Sequence, residues 1–208
     1  MNFNKLYKEE FYLFLEEFNE KLVKNINKFS NLAIIYNQKV INDYVNFISL
    51  RNFCKKNNIN LYILDNFEVF LKFKLSGIVL SHFNKNYPIK ITNYKKNNIK
   101  IIGKVHTQMD YYFKKKQHCT SVFLSPVFNN NKYNTIQLLG VTKFNLISMH
   151  WKLKILALGG INLSNINKIR LTRSTGVGFT SFIYSPQIKK PVLFNKGRVW
   201  FINNYIKI

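Results

Sequence analysis

Two adjacent glycines, Gly159 and Gly160, close a short apolar run and precede a polar Asn-Leu-Ser-Asn stretch. The run, residues 154–158, has the length of a buried strand, and Asn162 or Ser164 is suited to cap a following helix. Adjacent glycines let a backbone approach a ligand closely, and a helix start presents free N–H groups to an anion. This pattern predicts a phosphate-binding turn, although a plain strand-to-helix turn would have the same sequence.

A second candidate lies about one helix further along the chain. Residues 176–182 have another buried-strand pattern, with Thr180 and Ser181 near its end. In an eight-stranded β/α barrel, the loops after the last two strands commonly bind a phosphate group. The two segments together predict a phosphate site built from Gly159, Gly160, Thr180 and Ser181.

Carboxylates, which serve as general acids and bases, are scarce in this chain. There are nine of them, and only Asp65, Glu68 and Asp110 lie beyond residue 43. A reaction that needs a pair of carboxylates is therefore disfavoured. Neither the histidines nor the two cysteines show the spacing of a zinc site, and we interpret Cys54 and Cys119 as reduced core residues.

The formal charge of +23 raises the question of a polyanionic partner, because nucleic acids and anionic membranes attract such chains. Here the excess is of lysine, is scattered along the chain, and accompanies an excess of Asn, Ile, Phe and Tyr, as an A/T-rich coding sequence would produce. The aromatic residues lie in apolar segments and do not alternate with arginine as stacking surfaces would. We therefore expect small anionic ligands, and keep nucleic-acid binding only as an alternative.

The rest of the chain alternates short apolar segments with helical patterns. Further strands are predicted at residues 32–36, 61–64, 78–80, 99–103 and 121–124. Helices are predicted at residues 45–56, 67–75, 110–116 and 144–149. Residues 11–15 suit a first strand, although 9–28 could equally form one helix. About eight strands separated by helices favour a closed (β/α)8 TIM barrel over an open doubly wound sheet.

We expect a single domain, because 208 residues suit one barrel with a sizeable core. The barrel is predicted to span about residues 9–185, and residues 186–208 have a hairpin pattern where a closing helix would be expected. No apolar run reaches the roughly 20 residues of a membrane span, and the first residues are too acidic for a signal peptide. We therefore expect a cytoplasmic protein without a membrane partner.

Taken in order, the predicted strand ends resemble the thiamine phosphate synthase and thiazole tautomerase family of β/α barrels. Residues 101–107, IIGKVHT, are similar to the family's I-I-G-x-S-x-H, and residues 125–128, SPVF, to its G-P-V-F. Residues 157–161, ALGGI, are close to its A-I-G-G-I, and residues 176–183 to its G-V-A-V-V-S-A-I. The resemblance implies an enzyme that joins a hydroxymethylpyrimidine diphosphate to a thiazole phosphate and releases pyrophosphate with the help of Mg²⁺.

The resemblance also implies roles for single residues. The family's phosphate-binding segments match four residues already named, Gly159, Gly160, Thr180 and Ser181. Asp65 matches the first metal-binding aspartate, Lys132 the loop lysine that holds pyrophosphate, and His106 a small polar residue that contacts the diphosphate. Asp65 could instead cap the helix after it, and Lys132 could be a solvated loop lysine. For His106, a structural role and contact with the diphosphate are equally supported. For His82, a structural role is favoured.

Three positions depart from the family pattern. Residues 34–38 stand where the family has Q-L-R-E-K, and they lack both cations that bind pyrophosphate unless Lys39 replaces them. The second metal aspartate is replaced near Asn84, which should weaken magnesium binding. Pro126 stands where the tautomerase branch has a histidine, and this favours the synthase branch.

Three hypotheses for the function follow. The first is a thiamine phosphate synthase that acts on small phosphate substrates. The second is a non-catalytic barrel that keeps only the phosphate site and binds a thiazole phosphate without magnesium. The third is a basic nucleic-acid-binding protein, whose affinity would fall steeply with salt.

Overall fold

Eight short apolar segments form parallel strands that close into a barrel, in the order of the chain. The computed structural model describes residues 10–19, 31–38, 41, 43–86, 99–129, 138–162, 164–180, 194–195 and 198–199. The last barrel strand pairs with the first, with Val177 opposite Phe11, so the sheet has no free edge. The predicted (β/α)8 barrel is thereby confirmed.

The barrel strands are β1 (Glu10–Leu15), β2 (Leu32–Tyr36), β3 (Asn60–Leu64), β4 (Gly77–Leu80), β5 (Lys100–Val105), β6 (Ser121–Leu124), β7 (Lys154–Ala157) and β8 (Gly176–Phe179). Parallel strands covered on both faces are buried throughout, which explains why these segments are nearly continuous apolar runs. The presence of β1 decides between the strand and the single helix that the sequence allowed for residues 9–28. A helix is wrong over the span of β1, because this strand pairs with both β2 and β8.

The helices are α1 (Tyr44–Lys56), α2 (Phe67–Phe73), α3 (Gln108–Lys116), α4 (Gly140–Ser148) and α5 (Ile166–Ile169). Side chains just after the strands cap three of them. Asp43 caps α1 and Asn66 caps α2, while Thr107 and Asp110 form a capping box at the start of α3. These caps fix each helix start at the end of the barrel where the preceding strand finishes.

Alternate side chains of the strands fill the barrel interior. The buried interior cluster consists of Tyr12, Phe14, Ala33, Ile35, Tyr62, Leu64, Val79, Ile102, Phe123, Leu156 and Leu158. The ring of Phe123 packs edge to face against Tyr12 and Phe14, with centroid distances of 5.2 Å and 5.4 Å. A barrel filled in this way is a core and not a pore, so ligand chemistry belongs to its ends.

Charged side chains are divided between the two ends of the barrel. Carboxylates at the end where the strands finish are Glu16, Glu17, Asp43, Asp65, Glu68 and Asp110. Exposed cations at or just beyond the helix C-termini, at the opposite end, are Lys55, Lys56, Lys72, Lys74, Lys115, Lys116, Lys168 and Arg170. Each sign opposes the partial charge of the nearby helix end and stabilises it.

Beyond the barrel, β9 (Phe194–Asn195) and β10 (Arg198–Val199) pair antiparallel, with Val199 opposite Phe194. This pairing agrees with the hairpin predicted near the C-terminus. The division into a barrel over about residues 9–185 and an extension over 186–208 stays a prediction. Among the helices that the structure describes, none is long and apolar enough to cross a membrane.

Candidate active site at the carboxyl ends of the strands

We use the term mouth for the end of the barrel where the strands finish, formed by the residues that directly follow β1 to β8. The mouth contains most of the residues that the sequence singled out, namely Asp65, His106, Gly159, Gly160 and Thr180. Lys132, Ser181 and Lys39 lie outside the described residues. Their predicted roles therefore stay predictions.

The glycine turn after β7 is held against the loop after β6. The N–H of Phe128 donates to the carbonyl oxygen of Gly159 at 3.0 Å. Both glycines have positive φ angles, 94° at Gly159 and 67° at Gly160. A Cβ on Gly160 would lie 2.2 Å from the carbonyl oxygen of Phe128. Only glycine combines this backbone conformation with so close an approach between two loops.

The same turn leaves consecutive backbone donors available. Within the described residues, the N–H groups of Gly159, Gly160 and Ile161 donate to no hydrogen bond. The carbonyl oxygens are occupied, because Gly159 accepts from Phe128 and Gly160 accepts from the side-chain nitrogen of Asn165 at 2.7 Å. Successive N–H groups without acceptors are typical of backbone turns that bind anions.

The helix after this turn is shorter and begins later than predicted. α5 is a single turn with Asn165 at its N-cap and no side-chain cap bond, so the prediction that Asn162 or Ser164 caps it is wrong. Asn162 instead shapes the connecting turn, because its side-chain oxygen accepts from the N–H groups of Ser164 and Asn165 at 2.9 Å and 3.2 Å. One turn sums few peptide dipoles, so an anion here depends on the glycine turn itself.

Thr180 lies beside the glycine turn. Ala157 of β7 pairs with Val177 of β8, and Gly160 and Thr180 each follow that pair by three positions on neighbouring strands. The side chain of Thr180 is exposed. The sequence correctly predicted that the ends of these two strands meet, which follows once the barrel order is known.

Asp65 follows β3 and links it to the end of β4. Its Oδ1 atom accepts hydrogen bonds from the backbone N–H of Ser81 and from the side-chain nitrogen of Asn84, both at 2.9 Å. The neighbouring Asn66 caps α2 by accepting from the N–H of Val69 at 2.9 Å. The alternative role of Asp65 as the helix cap is therefore wrong.

Among the described residues, Asp65 is the single carboxylate near the position where the resemblance implies a magnesium ion. Asn84, near the expected second aspartate, directs its amide nitrogen to Asp65, and its amide oxygen accepts from the N–H of Asn86 at 3.1 Å. The described part of the chain holds no group of three or more His, Cys, Asp or Glu residues able to bind a metal. Magnesium at phosphate-transfer sites takes one or two carboxylates and completes its shell with water and substrate oxygens. Asp65 fits that role.

His106 follows β5 and bonds to the end of β6. Its Nδ1 atom lies 2.8 Å from the carbonyl oxygen of Ser125 and 3.3 Å from the hydroxyl of the same residue. A carbonyl oxygen can only accept, so this contact requires a proton on Nδ1. In the neutral ring Nε2 is then an acceptor, and the ring can donate to a phosphate from Nε2 only when it is protonated.

Asp110 fixes the backbone of His106. It accepts from the N–H of His106 at 3.1 Å and forms an ion pair with Lys85 at 3.1 Å. Partial burial raises the pKa of Asp110, but the bonds from His106, Lys85 and Thr107 outweigh burial and hold the pKa below its usual value. Asp110 is therefore charged at neutral pH and acts as a structural anion at the start of α3.

His82, which follows β4, packs against His106. The two rings meet edge to face, with their centroids 4.4 Å apart. Burial and the neighbouring His106 lower the pKa of His82, so the neutral ring is favoured at pH 7. This packing supports the structural role that the sequence favoured for His82.

Lys104 brings a cation into the mouth, and it is not among the residues predicted from the sequence. On β5, Ile102 belongs to the interior cluster, whereas Val105 belongs to the layer beneath the helices. Because alternate residues of a strand share a face, Lys104 points inward like Ile102. Its Nζ atom lies 5.2 Å from the centroid of the Phe14 ring, and the side chain is half-buried. The strand period in IIGKV is the signal that could have revealed this lysine.

The end of β2 offers no cation among its described residues. Tyr36 is buried and packs on Phe47 of α1, with ring centroids 5.2 Å apart. Gln38 donates to the carbonyl oxygen of Glu16 at 2.8 Å, which ties the ends of β1 and β2 together. The loss of the family's cations at residues 34–38 is thus a feature of the folded mouth as well as of the sequence.

A cavity of about 310 Å³ opens at the opposite end of the barrel. Its lining includes Tyr12, Asn60 and an ion pair between Lys100 and Glu10 at 2.8 Å. Burial raises the pKa of Glu10, but the bonds from Lys100 and Tyr12 outweigh burial and lower it overall, so the pair is charged. The residues that carry the family motifs lie at the mouth, and we therefore assign the chemistry to the mouth.

The thiamine monophosphate synthase family matches residues 36–183 of this chain. A thiamine-phosphate synthase from Prochlorococcus marinus is 29% identical over 122 residues, which are 58% of this chain and 35% of that protein. The chain thus spans about a third of the length of that relative. The resemblance inferred from the strand ends is confirmed.

Solved structures agree on the fold. Thiamine phosphate pyrophosphorylase from Pyrococcus furiosus superposes with a TM-score of 0.65 at 18% identity, over 86% of this chain and 87% of that one. The YdjI aldolase from Escherichia coli K12 superposes with a TM-score of 0.62 at 10% identity, over 83% and 76%. Barrels of this kind host many activities, so function must be argued from the mouth.

Proposed function

This chain belongs to the thiamine monophosphate synthase family, and on that premise we propose that it makes thiamine phosphate. It would join a hydroxymethylpyrimidine diphosphate to a thiazole phosphate and release pyrophosphate, as a step of thiamine biosynthesis. The observation that carries this proposal is the glycine turn, whose consecutive N–H groups lie beside Thr180. This turn lies in the segment that resembles the family's phosphate-binding motif.

The thiazole phosphate would bind at the ends of β7 and β8. The N–H groups of Gly159 and Gly160 would donate to phosphate oxygens, and the exposed hydroxyl of Thr180 would add a third donor. Ser181 is the predicted fourth member of this site. Backbone donors fixed by a bonded turn need no rearrangement when the phosphate arrives, which favours binding.

The reaction needs stabilisation of a leaving group more than proton transfer. A bond between the pyrimidine's methylene carbon and a diphosphate oxygen breaks, a bond from that carbon to the thiazole nitrogen forms, and the electron pair leaves with pyrophosphate. Groups that stabilise developing negative charge contribute most to such a step. The scarcity of carboxylates in the chain as a whole is compatible with this chemistry.

We propose that Asp65 is the protein ligand of Mg²⁺ and that His106 and Lys132 contact the diphosphate. Magnesium, when bound, would neutralise charge on the departing pyrophosphate. His106 would donate to an oxygen through Nε2 in its protonated form, since Nδ1 is bonded to Ser125. We also propose that the enzyme acts in the cytoplasm, which suits its buried free thiols, Cys54 and Cys119.

The proposal is tested with both substrates and magnesium, and with a known synthase assayed in parallel. We expect thiamine phosphate to form, and titration calorimetry to show binding of the thiazole phosphate and of pyrophosphate. If the parallel enzyme produces thiamine phosphate and this protein produces none, the synthase proposal is wrong.

A second candidate is a barrel that has kept phosphate binding and lost catalysis. It is favoured by the absence of a cation among the described residues at the end of β2 and by Asn84 near the expected second aspartate. This candidate predicts that the thiazole phosphate binds equally well with magnesium and with a chelator, and that pyrophosphate does not bind. Those calorimetric results distinguish it from the synthase.

A further inference from the structure

We propose that Lys114 and Gln117 are positioning residues, which hold Asp65 in place through the loop after β4. Lys114 lies in the last turn of α3, and Gln117 directly follows this helix. We use the term β4 loop for residues 81–86, which follow β4 along the chain. This inference rests on the proposed function, because it concerns the residue that we propose as the ligand of magnesium.

The two side chains bind the β4 loop together. The Nζ atom of Lys114 donates to the carbonyl oxygen of Asn84 at 2.7 Å and to the side-chain oxygen of Gln117 at 2.9 Å. The side-chain nitrogen of Gln117 donates to the carbonyl oxygens of Asn84 and Asn86, at 3.1 Å and 2.6 Å. Because Lys114 occupies the amide oxygen of Gln117, the amide nitrogen is directed at the loop.

The β4 loop in turn holds the carboxylate of Asp65. The side-chain nitrogen of Asn84 and the backbone N–H of Ser81 both donate to the Oδ1 atom of Asp65, each at 2.9 Å. The N–H of Asn84 donates to the carbonyl oxygen of Ser81 at 3.1 Å, which joins the two donors. A shift of Asn84 would therefore change the orientation of the Asp65 carboxylate.

Stability alone does not explain a lysine at position 114. Its side chain is fully buried, and removing an ammonium group from water costs free energy that hydrogen bonds only partly offset. The neighbouring strand also has to leave room, because a Cβ on Gly103 would lie 2.6 Å from the Cγ atom of Lys114. An apolar side chain would fill this space without the cost of burying a charge. What it could not do is donate to the carbonyl oxygen of Asn84.

Further contacts attach the β4 loop to α3. Lys85 forms an ion pair with Asp110 at 3.1 Å, and its Nζ atom lies 4.4 Å from the centroid of the Phe113 ring. Asp110 also accepts from the backbone N–H of His106. α3 thus fixes His106 through its first turn and Asp65 through the β4 loop. Groups that orient a metal ligand from behind commonly set the affinity of the site.

The test compares Lys114→Met and Gln117→Met with the control Lys115→Met. Methionine keeps the approximate length of both side chains and removes their hydrogen-bonding groups. Lys115 is exposed on the same helix, so its replacement removes an equal charge at the surface. Urea unfolding of each variant shows whether the fold is kept, and Gln117→Met carries the test if Lys114→Met does not fold.

Hydrogen exchange measured by NMR tests the positioning without any ligand. The two relevant amides are those of Ser81 and Asn84, which we call the loop amides, because their N–H groups hold Asp65 and each other. In Lys114→Met and Gln117→Met they should exchange about 10- to 100-fold faster, since the loop loses buried hydrogen bonds, one of them to a charged group.

A reference amide shows whether the loosening is local. The N–H of Phe128 donates to the carbonyl oxygen of Gly159 at 3.0 Å, at the opposite side of β5 from the β4 loop. Its exchange rate should stay within about twofold of the wild type in every variant, because the substitutions share no partner with it. Lys115→Met should leave both the loop amides and this reference unchanged.

Calorimetry tests the consequence for binding. Pyrophosphate titrated with magnesium should bind about tenfold more weakly to Lys114→Met, at the lower end of the range for groups behind a metal ligand. The affinity for the thiazole phosphate should stay within about twofold of the wild type. In an Asp65→Asn background, Lys114→Met should have no further effect on pyrophosphate binding, because it acts through Asp65.

Four results would overturn the assignment. The first is wild-type exchange of the loop amides in a folded Lys114→Met variant, and the second is an equal increase for Phe128, which indicates a general loss of stability. The third is an undiminished effect of Lys114→Met on pyrophosphate binding in the Asp65→Asn background. The fourth is a wild-type protein that binds no pyrophosphate with magnesium. If the loop amides and pyrophosphate respond as expected but no thiamine phosphate forms, the assignment holds and the synthase proposal alone is wrong.

Discussion

Gly160→Ala should both destabilise the barrel and weaken phosphate binding, because the added methyl group meets the loop after β6. The new Cβ would lie 2.2 Å from the carbonyl oxygen of Phe128 and 2.5 Å from that of Asn129. Such distances are far below van der Waals contact, so one of the two loops has to move. The backbone at this position also has a φ of 67°, which an L-residue rarely adopts.

Two contributions set the expected size of the effect. An alanine in the left-handed region costs about 1–2 kcal/mol relative to glycine. Overpacking that displaces neighbouring backbone costs about 1–3 kcal/mol more. We therefore expect the free energy of unfolding to fall by about 2–5 kcal/mol in Gly160→Ala.

Gly140→Ala is a matched control for the backbone contribution. Gly140 has a φ of 60°, close to that of Gly160, but a Cβ there would meet nothing within 4 Å. Its substitution should cost only about 1–2 kcal/mol. The difference between the two variants, measured by urea unfolding with a common m-value, isolates the overlap with the loop after β6.

Binding provides a second measurement on the same pair. Calorimetry with the thiazole phosphate should show weaker binding for Gly160→Ala and an unchanged affinity for Gly140→Ala. Equal unfolding free energies for the two variants would refute the packing argument. A folded Gly160→Ala protein with wild-type affinity would refute the assignment of the phosphate to this turn.

Other substitutions test the mouth and the core separately. Asp65→Asn keeps an oxygen acceptor but loses the charge, so calorimetry should show pyrophosphate binding that no longer responds to magnesium, while Glu68→Ala should still respond. Phe123→Ala should lower the free energy of unfolding in urea by about 3–5 kcal/mol, because its ring fills the barrel interior. Burial lowers the pKa of Lys114 from 10.5 to about 8. The unfolded chain then binds more protons between those values, so stability should rise by about 2 kcal/mol from pH 8 to 10, and urea titrations of Lys114→Met should show a smaller slope.

The sequence predicted the barrel because each strand is a compact apolar run between polar connections. It left β1 undecided, since five apolar residues flanked by glutamates suit a strand and a helix equally. What decides the matter is non-local, because Phe11 pairs with Leu32 on one side and with Val177 on the other. Local patterns contain no information about such pairings.

The candidate site was predictable where residue types dictate conformation and not where orientation matters. Paired glycines predicted the turn after β7, because no other residue tolerates both the φ angles and the contact with Phe128. The sequence did not reveal that Asn66, and not Asp65, caps α2, since either side chain can cap. The inward direction of Lys104 was not predicted, because it depends on which face of β5 is inside the barrel. In a chain so rich in lysine, composition does not single out one of them.

The division of charge between the barrel ends changes the expectation that a net charge of +23 attracts anions to the site. The helix C-termini place exposed lysines at the end opposite the mouth, while the mouth holds most of the described carboxylates. Over such a distance, salt at physiological concentration screens exposed charges, with a Debye length of about 8 Å. The exposed lysines described at the helix C-termini therefore contribute little to attracting anions to the mouth. Among the described residues, phosphate recognition at the mouth must then come from short-range groups such as the N–H donors of the glycine turn.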